Sequence, residues 1–296
     1  MRVGLGYGIA AYLIWGSFPL YFGLMGAASP LEVVPWRVVT TFLFCLVLLT
    51  VLRRWRVFLA IVSRPRLLGW LAASSLLIYV NWQIFVIGVM TGHVIETALG
   101  YFINPLFTIV LGVFVWRERL TRLQWIAVTI AAIGVVISAV AYGSFPWISL
   151  SIALSFGLYG AARKKLGNSI DGVTGLVAET LIALPLGIAQ LVAVAAVSGL
   201  TAFSYGPGIT VLVLLSGVMT GLPLIFFGEA ARRLPLSYIG FLQFLTPTLG
   251  FLYGYLVVHE QMSYGRWIGF AGVWIALLIL TADTIRSQTR GNAVGD

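Results

Sequence analysis

What most constrains this chain is a nearly unbroken succession of apolar segments, each long enough to cross a bilayer. Crossing about 30 Å of hydrocarbon at roughly 1.5 Å per residue takes about 17 to 25 apolar residues in a helix. Ten such segments are readable, at 4–23, 33–52, 68–88, 95–116, 122–142, 147–163, 172–197, 208–228, 236–257 and 264–283. With 60% hydrophobic and only 9% charged residues, the chain has too little polar surface to cover a water-soluble globule. The expected fold class is an all-α integral membrane protein with ten transmembrane helices. The first segment is followed at once by nine more, so it reads as a span and not as a cleaved signal peptide.

A net charge of +9 raises the question of nucleic acid. The basic residues, however, cluster between spans on one side and form no stripe on a folded surface, so no nucleic-acid partner is expected. Arg2, the group Arg53 to Arg66, Arg117, Arg119, Arg122, Arg163 to Lys165, Arg232, Arg233, Arg286 and Arg290 all fall on one face; only Arg37 and Arg266 do not. The positive-inside rule makes that face cytoplasmic, with both termini inside. Cys45, the single cysteine, lies in an apolar span, which excludes an intramolecular disulfide and points to packing.

Sliding the chain by 142 residues aligns Pro105 with Pro247, Gly112 with Gly254, Glu118 with Glu260 and Trp125 with Trp267. Pro, Gly, Glu and Trp matching together in one register are harder to assign to chance than aliphatic matches and imply a duplication, with repeats at 1–142 and 143–296. Five spans per repeat is an odd number, so the second copy is inverted. Secondary transporters are often built this way, with a midplane site between the halves. Proline lacks an amide hydrogen and crowds the carbonyl four residues earlier, so Pro105 and Pro247 are expected helix breaks that release the carbonyls of Tyr101 and Gln243. Freed carbonyls at membrane depth need protein or a water-filled cavity to receive them.

Ionisable groups in the hydrocarbon layer need a partner or a pathway. Arg37 and Glu179 occupy one repeat position on opposite halves of the bilayer. Local partners are therefore expected: Arg37 with Glu96, Glu32 competing, and Glu179 with Tyr238, the repeat mate of Glu96. These clasps are either gates or permanent struts. Substrate-binding candidates are Trp15, Asn81, Trp82, Tyr101, Asn104 and Tyr159, with Gln243 and Thr246 aligned to Tyr101 and Asn104. For the aromatic members the alternative is an interfacial belt or helix packing. His93 with Glu96 offers one route to proton coupling. Glu118 and Glu260 read as helix-end caps, and glycine pairs such as Gly217 with Gly221 and Gly265 with Gly269 as close-packing sites.

The stretch GHVIETALGYFINPLFTIVLGVFVWRERLTRLQWIAVTIAAIGV resembles the RarD family of EamA-type transporters in the drug/metabolite transporter superfamily. IWGSFPLYF, EVVPWRVV and LSFGLYGAARKK carry the same resemblance. It covers nearly the whole chain. It implies a ten-helix bacterial inner-membrane permease of two five-helix repeats, and it implies no particular cargo.

No G-x-S-x-G, H-E-x-x-H or aspartate-rich motif is present, and two histidines make no metal site, so neither an enzyme nor a metal or other cofactor is expected. No glycine-rich phosphate loop supports an ATP-driven pump. What remains is a secondary-active permease for a small polar or drug-like solute, working by alternating access in the lipid bilayer. A membrane-embedded binding or scaffold protein without turnover is the alternative, and the sequence is compatible with a monomer or a homodimer.

Overall fold

The structure is a computed structural model that describes residues 2–116, 120–143, 145–166, 170–231, 233–234 and 242–292. Among the described residues there are helices and connections but no strands. The helices are α1 (Arg2–Gly16), α2 (Phe18–Gly23), α3 (Pro30–Val51), α4 (Trp55–Val62), α5 (Pro65–Met90), α6 (Val94–Trp116), α7 (Arg122–Tyr142), α8 (Trp147–Leu166), α9 (Gly172–Val197), α10 (Pro207–Ala231), α11 (Leu245–Leu256) and α12 (Tyr264–Asn292). Seven segments are long and apolar enough to span a bilayer: α1 with α2, α3, α5, α7, α9, α10 and α12. The other three expected spans fall on α6, α8 and α11.

Local chemistry sets the helix ends. Thr121 accepts from Gln124 N while Gln124 accepts from Thr121 N, a capping box that starts α7; Gly143, at φ +70°, closes it in the left-handed region. Asp171 caps α9 through the amides of Val173 and Thr174. Proline stands at the first position of α3, α5 and α10, where its missing N–H costs nothing.

Two features depart from the expected spans. The first segment is broken at Ser17, whose hydroxyl donates to Ile14 O, and Pro19 then opens the short α2. The second is α4, an eight-residue helix between α3 and α5 that buries Phe58 and Ile61 and exposes Trp55, Val57 and Leu59.

The two prolines behave differently. At Pro247 the helix is interrupted: Leu242 and Gln243 are helical, Phe244 turns, and α11 begins at Leu245. At Pro105, by contrast, α6 continues from Val94 to Trp116, so the expected break there is corrected to an uninterrupted helix. A proline removes one backbone bond and bends a helix, and the flanking bonds can carry it through. The Pro105 side chain lies outside the described residues.

Helices α3 and α9 pack antiparallel. At one end Arg54 Nη1 meets Asp171 Oδ2 at 3.0 Å, and at the other Gln190 Nε2 donates to Leu31 O at 2.6 Å. Helices α7 and α12 also run antiparallel, with Thr121 Oγ1 bonded to Asp283 Oδ2 at 3.0 Å near one end and Gly265 against Ala141 near the other. Close approach explains two of the glycines. A Cβ on Gly269 would collide with Ser138 Oγ and the Gly134 carbonyl, and one on Gly217 with the Thr40 carbonyl. Hydrocarbon tails give helices no hydrophobic reason to associate, so such backbone contact is what holds neighbours together. Large apolar side chains such as Val47, Val51, Val140, Val192 and Leu278 are exposed, as a lipid-facing surface requires.

Candidate functional site

The polar residues of the interior fall into a connected group between α2, α3, α5, α6, α8, α9 and α10. Arg37, on the second turn of α3, is 2% exposed. Its Nε donates to Thr220 Oγ1 on α10 at 2.9 Å. Its guanidinium lies 4.2 Å from the centroid of Trp82, 5.1 Å from Phe22 and 5.2 Å from Phe18. The interruption at Ser17 turns α2 so that Phe18 and Phe22 can face this charge. No carboxylate lies within 4.0 Å of Arg37 among the described residues, and its buried Nη1 has no hydrogen-bond acceptor. Each aromatic contact is worth about 0.5–2 kcal/mol, against several for stripping an ion of water, so the cage offsets only part of the burial cost.

Asn81 on α5 is fully buried. Its Nδ2 donates to Ser155 Oγ at 3.1 Å and Ile152 O at 3.3 Å, and its Oδ1 accepts from the Tyr101 hydroxyl at 3.0 Å. An amide placed this way ties α5, α6 and α8 together. Nearby, Tyr21 donates to Leu212 O, and Thr40 shares a hydrogen bond with Ser216 at 2.9 Å.

Glu179 on α9 is 1% exposed and well provided for. Oε1 accepts from Ser74 at 2.7 Å and from Arg163 Nη1 at 3.3 Å, and Oε2 from the Tyr159 hydroxyl at 3.5 Å. Ser75 donates to the Glu179 carbonyl at 2.7 Å, bracing the same turn.

A file of aromatic rings joins Arg37 to Glu179. From the Arg37 cage, Phe22 meets Phe85 at 6.0 Å, Phe85 meets Tyr101 at 5.9 Å, Tyr101 meets Phe156 at 5.6 Å, and Phe156 meets Tyr159, the ligand of Glu179, at 5.8 Å. Because α3 and α9 are antiparallel and each ion lies on the second turn of its helix, this file leads from one end of the bundle toward the other.

The expected Arg37 clasp is corrected by this geometry. Glu96 on α6 accepts from Ile148 N at 3.2 Å, at the start of α8, and Ser149 Oγ donates to the Glu96 carbonyl at 2.7 Å. Glu32, the competitor, takes Thr201 N and Ala202 N at 2.9 Å and Thr201 Oγ1 at 3.2 Å. Both carboxylates are engaged by helix and loop amides, which left Arg37 to the rings and Thr220. The partner of Glu179 is Arg163; Tyr238, expected there, lies outside the described residues, as does Glu118.

The structure separates the other candidates. Trp82, Asn81, Tyr101 and Tyr159 belong to the connected group, and Asn104 is buried one turn along α6 from Tyr101. Trp15 meets the Tyr12 ring edge-on at 5.3 Å and the Phe227 ring at a tilt at 5.8 Å, and Thr246 donates to the Tyr12 carbonyl at 3.2 Å, so these two gather around Tyr12 between α1, α10 and α11, with Trp15 also packed against the hydrophobic core that holds Trp82. Gln243 is exposed beside the Phe244 turn. His93 pairs with Thr91 Oγ1 at 3.0 Å and makes no hydrogen bond to Glu96. Glu260 does cap a helix: Ile95 N, in the first turn of α6, donates to it at 2.8 Å, and Arg266 sits 3.5 Å away. Burial pushes the Glu260 carboxyl above the usual range, opposed by the Ile95 amide and by Arg266.

Sequence reasoning missed Thr220, Ser74, Arg163 and the Phe18–Phe22 edge. The first two are small hydroxyls of a kind common in any apolar helix, and Arg163 was absorbed into the basic cluster. A pocket of about 360 Å³ lined by Arg56, Val57, Ala60, Ile61, Arg64 and Leu67 lies at the α4–α5 elbow, away from these groups.

Known proteins resemble the chain over most of its length. The family model described as the EamA-like transporter family matches residues 2–140. A Streptomyces exfoliatus protein named Protein RarD is 40% identical, covering 99% of this chain and 92% of that protein. An uncharacterized transporter of Vibrio cholerae is 40% identical over 97% and 94%, and Protein RarD of Escherichia coli 38% over 98% and 97%. A solved crystal structure aligns with a TM-score of 0.62 over 97% of this chain and 99% of its own at 15% identity, a likeness of fold alone.

Proposed function

The chain belongs to the EamA-like transporter family, among relatives named RarD, and from that premise we propose that it is a secondary-active permease moving a small polar or drug-like solute by alternating access. The aromatic file from the Arg37 cage through Phe22, Phe85, Tyr101 and Phe156 to Tyr159 and Glu179 carries this reading. An interior line of rings, studded with Asn81 and two opposite charges, is an expensive way to fill a membrane bundle and a useful way to pass a solute through it.

Inverted repeats at 1–142 and 143–296 supply the moving parts in this reading. Helices α3, α5 and α7 begin 142 residues before α9, α10 and α12, at Pro30 and Gly172, Pro65 and Pro207, and Arg122 and Tyr264. Equivalent helices α3 and α9 run antiparallel, which inversion requires. Arg37 contacts Thr220 of the opposite half, and Glu179 contacts Ser74 of the opposite half, so rocking one half against the other remakes both contacts. Asn81, Trp82, Tyr101, Asn104 and Tyr159 then line the path, and Arg37 with Glu179 stand beside its two gates. The one-sided basic clusters support a reading in which both termini lie at the cytoplasmic side of a bacterial inner membrane.

Flux in proteoliposomes tests the proposal. Purified protein should move at least one solute from a panel of amino acids, sugars and organic acids, with and without an imposed pH gradient, and should release it chemically unchanged. Protein that binds solutes but gives no flux under any gradient would refute it.

A further inference from the structure

Arg37 is the one buried cation among the described residues, and it has no counter-charge there. Each acid in the vicinity or at the bundle ends has its own donors. Glu32 holds Thr201 and Ala202, Glu96 the amide of Ile148, Glu179 the hydroxyl of Ser74 and the guanidinium of Arg163, and Glu260 the amide of Ile95 with Arg266. None lies within 4.0 Å of Arg37. One nitrogen of its guanidinium, Nε, is bonded to Thr220, while Nη1 is shut away from solvent and has no acceptor. A buried donor without a partner is uncommon in a native interior, and a charged one is costlier still.

We propose, building on the carrier reading above, that the missing partner is the solute, and that Arg37 recognises the carboxylate of a singly charged organic anion. Three observations define the class. The planar fork of a guanidinium matches a carboxylate edge, and Thr220 and three rings fix its orientation before anything binds. Arg37 is the only basic side chain among the described residues that is buried in this group, so the site offers one positive charge; a phosphate monoester, largely dianionic near neutral pH, would be left half balanced. Trp82, Phe18 and Phe22 surround the charge with apolar surface, which suits an anion with an apolar body over a small hydrated inorganic ion.

The test uses the full chain in detergent with benzoate, its uncharged counterpart benzamide, and inorganic phosphate as probes, read by thermal midpoint and tryptophan fluorescence. Benzoate should raise the midpoint and change the emission, since Trp82 lies against the guanidinium; benzamide and phosphate should do neither. Arg37→Gln should weaken the benzoate response by about tenfold or more, as loss of roughly 1.4 kcal/mol implies, and Arg37→Lys should keep part of it. Equal responses to benzoate and benzamide, a phosphate response as large as that to benzoate, or an undiminished response in Arg37→Gln would each overturn the assignment. Should Arg37→Gln fail to fold, Trp82→Phe decides: benzoate must still raise its midpoint while the emission change shrinks, and an unchanged emission response would place the anion elsewhere. Flux separates this inference from the carrier reading. Benzoate binding that depends on Arg37, with no flux of any solute, sinks the carrier and leaves the anion site standing. Flux that is indifferent to Arg37→Gln keeps the carrier and sinks the anion site.

Discussion

Thr220 on α10 accepts the Nε hydrogen of Arg37 on α3 at 2.9 Å, and this is the only hydrogen bond the described structure gives that buried guanidinium. A hydrogen bond to a charged group is worth about 1.5–3 kcal/mol, more than an ordinary surface ion pair. Thr220→Val keeps the shape and removes the acceptor. It should lower the thermal midpoint of the purified protein by an amount matching about 1–3 kcal/mol, while Thr220→Ser recovers most of the loss. Equal midpoints for Thr220→Val and the wild type would mean that the rings alone hold the charge.

Glu179 and Arg163 form the second buried contact, at 3.3 Å, with the arginine partly open to solvent. Removing one member of a buried pair costs about 3–5 kcal/mol when the other charge stays behind. Arg163→Ala, which strands the buried carboxylate with only Ser74 and Tyr159, should therefore destabilise strongly, and Glu179→Ala less, because the guanidinium it leaves behind is partly open to solvent. A double-mutant cycle on chemical or thermal unfolding checks the coupling. Strictly additive losses would show that the two side chains act independently.

Gly217 and Gly269 test the packing. Gly217→Ala drives a methyl into the Thr40 carbonyl, and Gly269→Ala drives one into Ser138 and Gly134, whereas Gly208→Ala meets open space. Overpacking of this kind costs about 1–3 kcal/mol. The first two variants should lose thermal stability and monodispersity in detergent, and the third should not. A wild-type midpoint for Gly269→Ala would show that α7 and α12 separate more easily than their backbone contact suggests.

Asp171 provides a pH dependence. Burial works to raise its carboxyl, but the hydrogen bonds of Thr174 and the charge and hydrogen bond of Arg54 outweigh this and hold it below the usual carboxylate range. Because the folded value lies below the unfolded one, the unfolded chain binds more protons in that window, and stability rises with pH. The contribution is complete above the unfolded value of about 3.9 and is lost as pH falls through the folded value. The midpoint gap between wild type and Asp171→Asn should be constant near neutral pH and close in acid. A gap that widens on acidification contradicts the assignment.

Much of the fold was legible because a bilayer leaves few choices. Backbone groups in hydrocarbon must be satisfied internally, so apolar runs of span length become helices without help from tertiary context. Pro30, Pro65 and Pro207 opened helices, and Asp171 and Thr121 capped them, for reasons contained within one turn of chain. The candidate site was legible only in part. Asn81, Trp82, Tyr101 and Arg37 stood out because polar and aromatic groups at mid-depth are costly, yet nothing local says which neighbour satisfies them. Arg37 was expected on Glu96, and it lies on Trp82, Phe22 and Thr220; Glu96 serves the start of α8 instead. Serines and threonines such as Ser74 and Thr220 carry no signal in sequence, since an intrahelical carbonyl can satisfy either equally well.

By itself the sequence determined that this protein is helical and lies in a membrane, because length and polarity act residue by residue, while its family showed in particular stretches such as GHVIETALGYFINPLF. Tertiary structure alone decided that Glu179 meets Arg163 and that Arg37 meets no acid among the described residues. Those outcomes depend on which helices touch, from 16 residues apart for Arg163 and Glu179 to 183 for Arg37 and Thr220, where a few ångströms decide whether a charge finds a carboxylate or a ring.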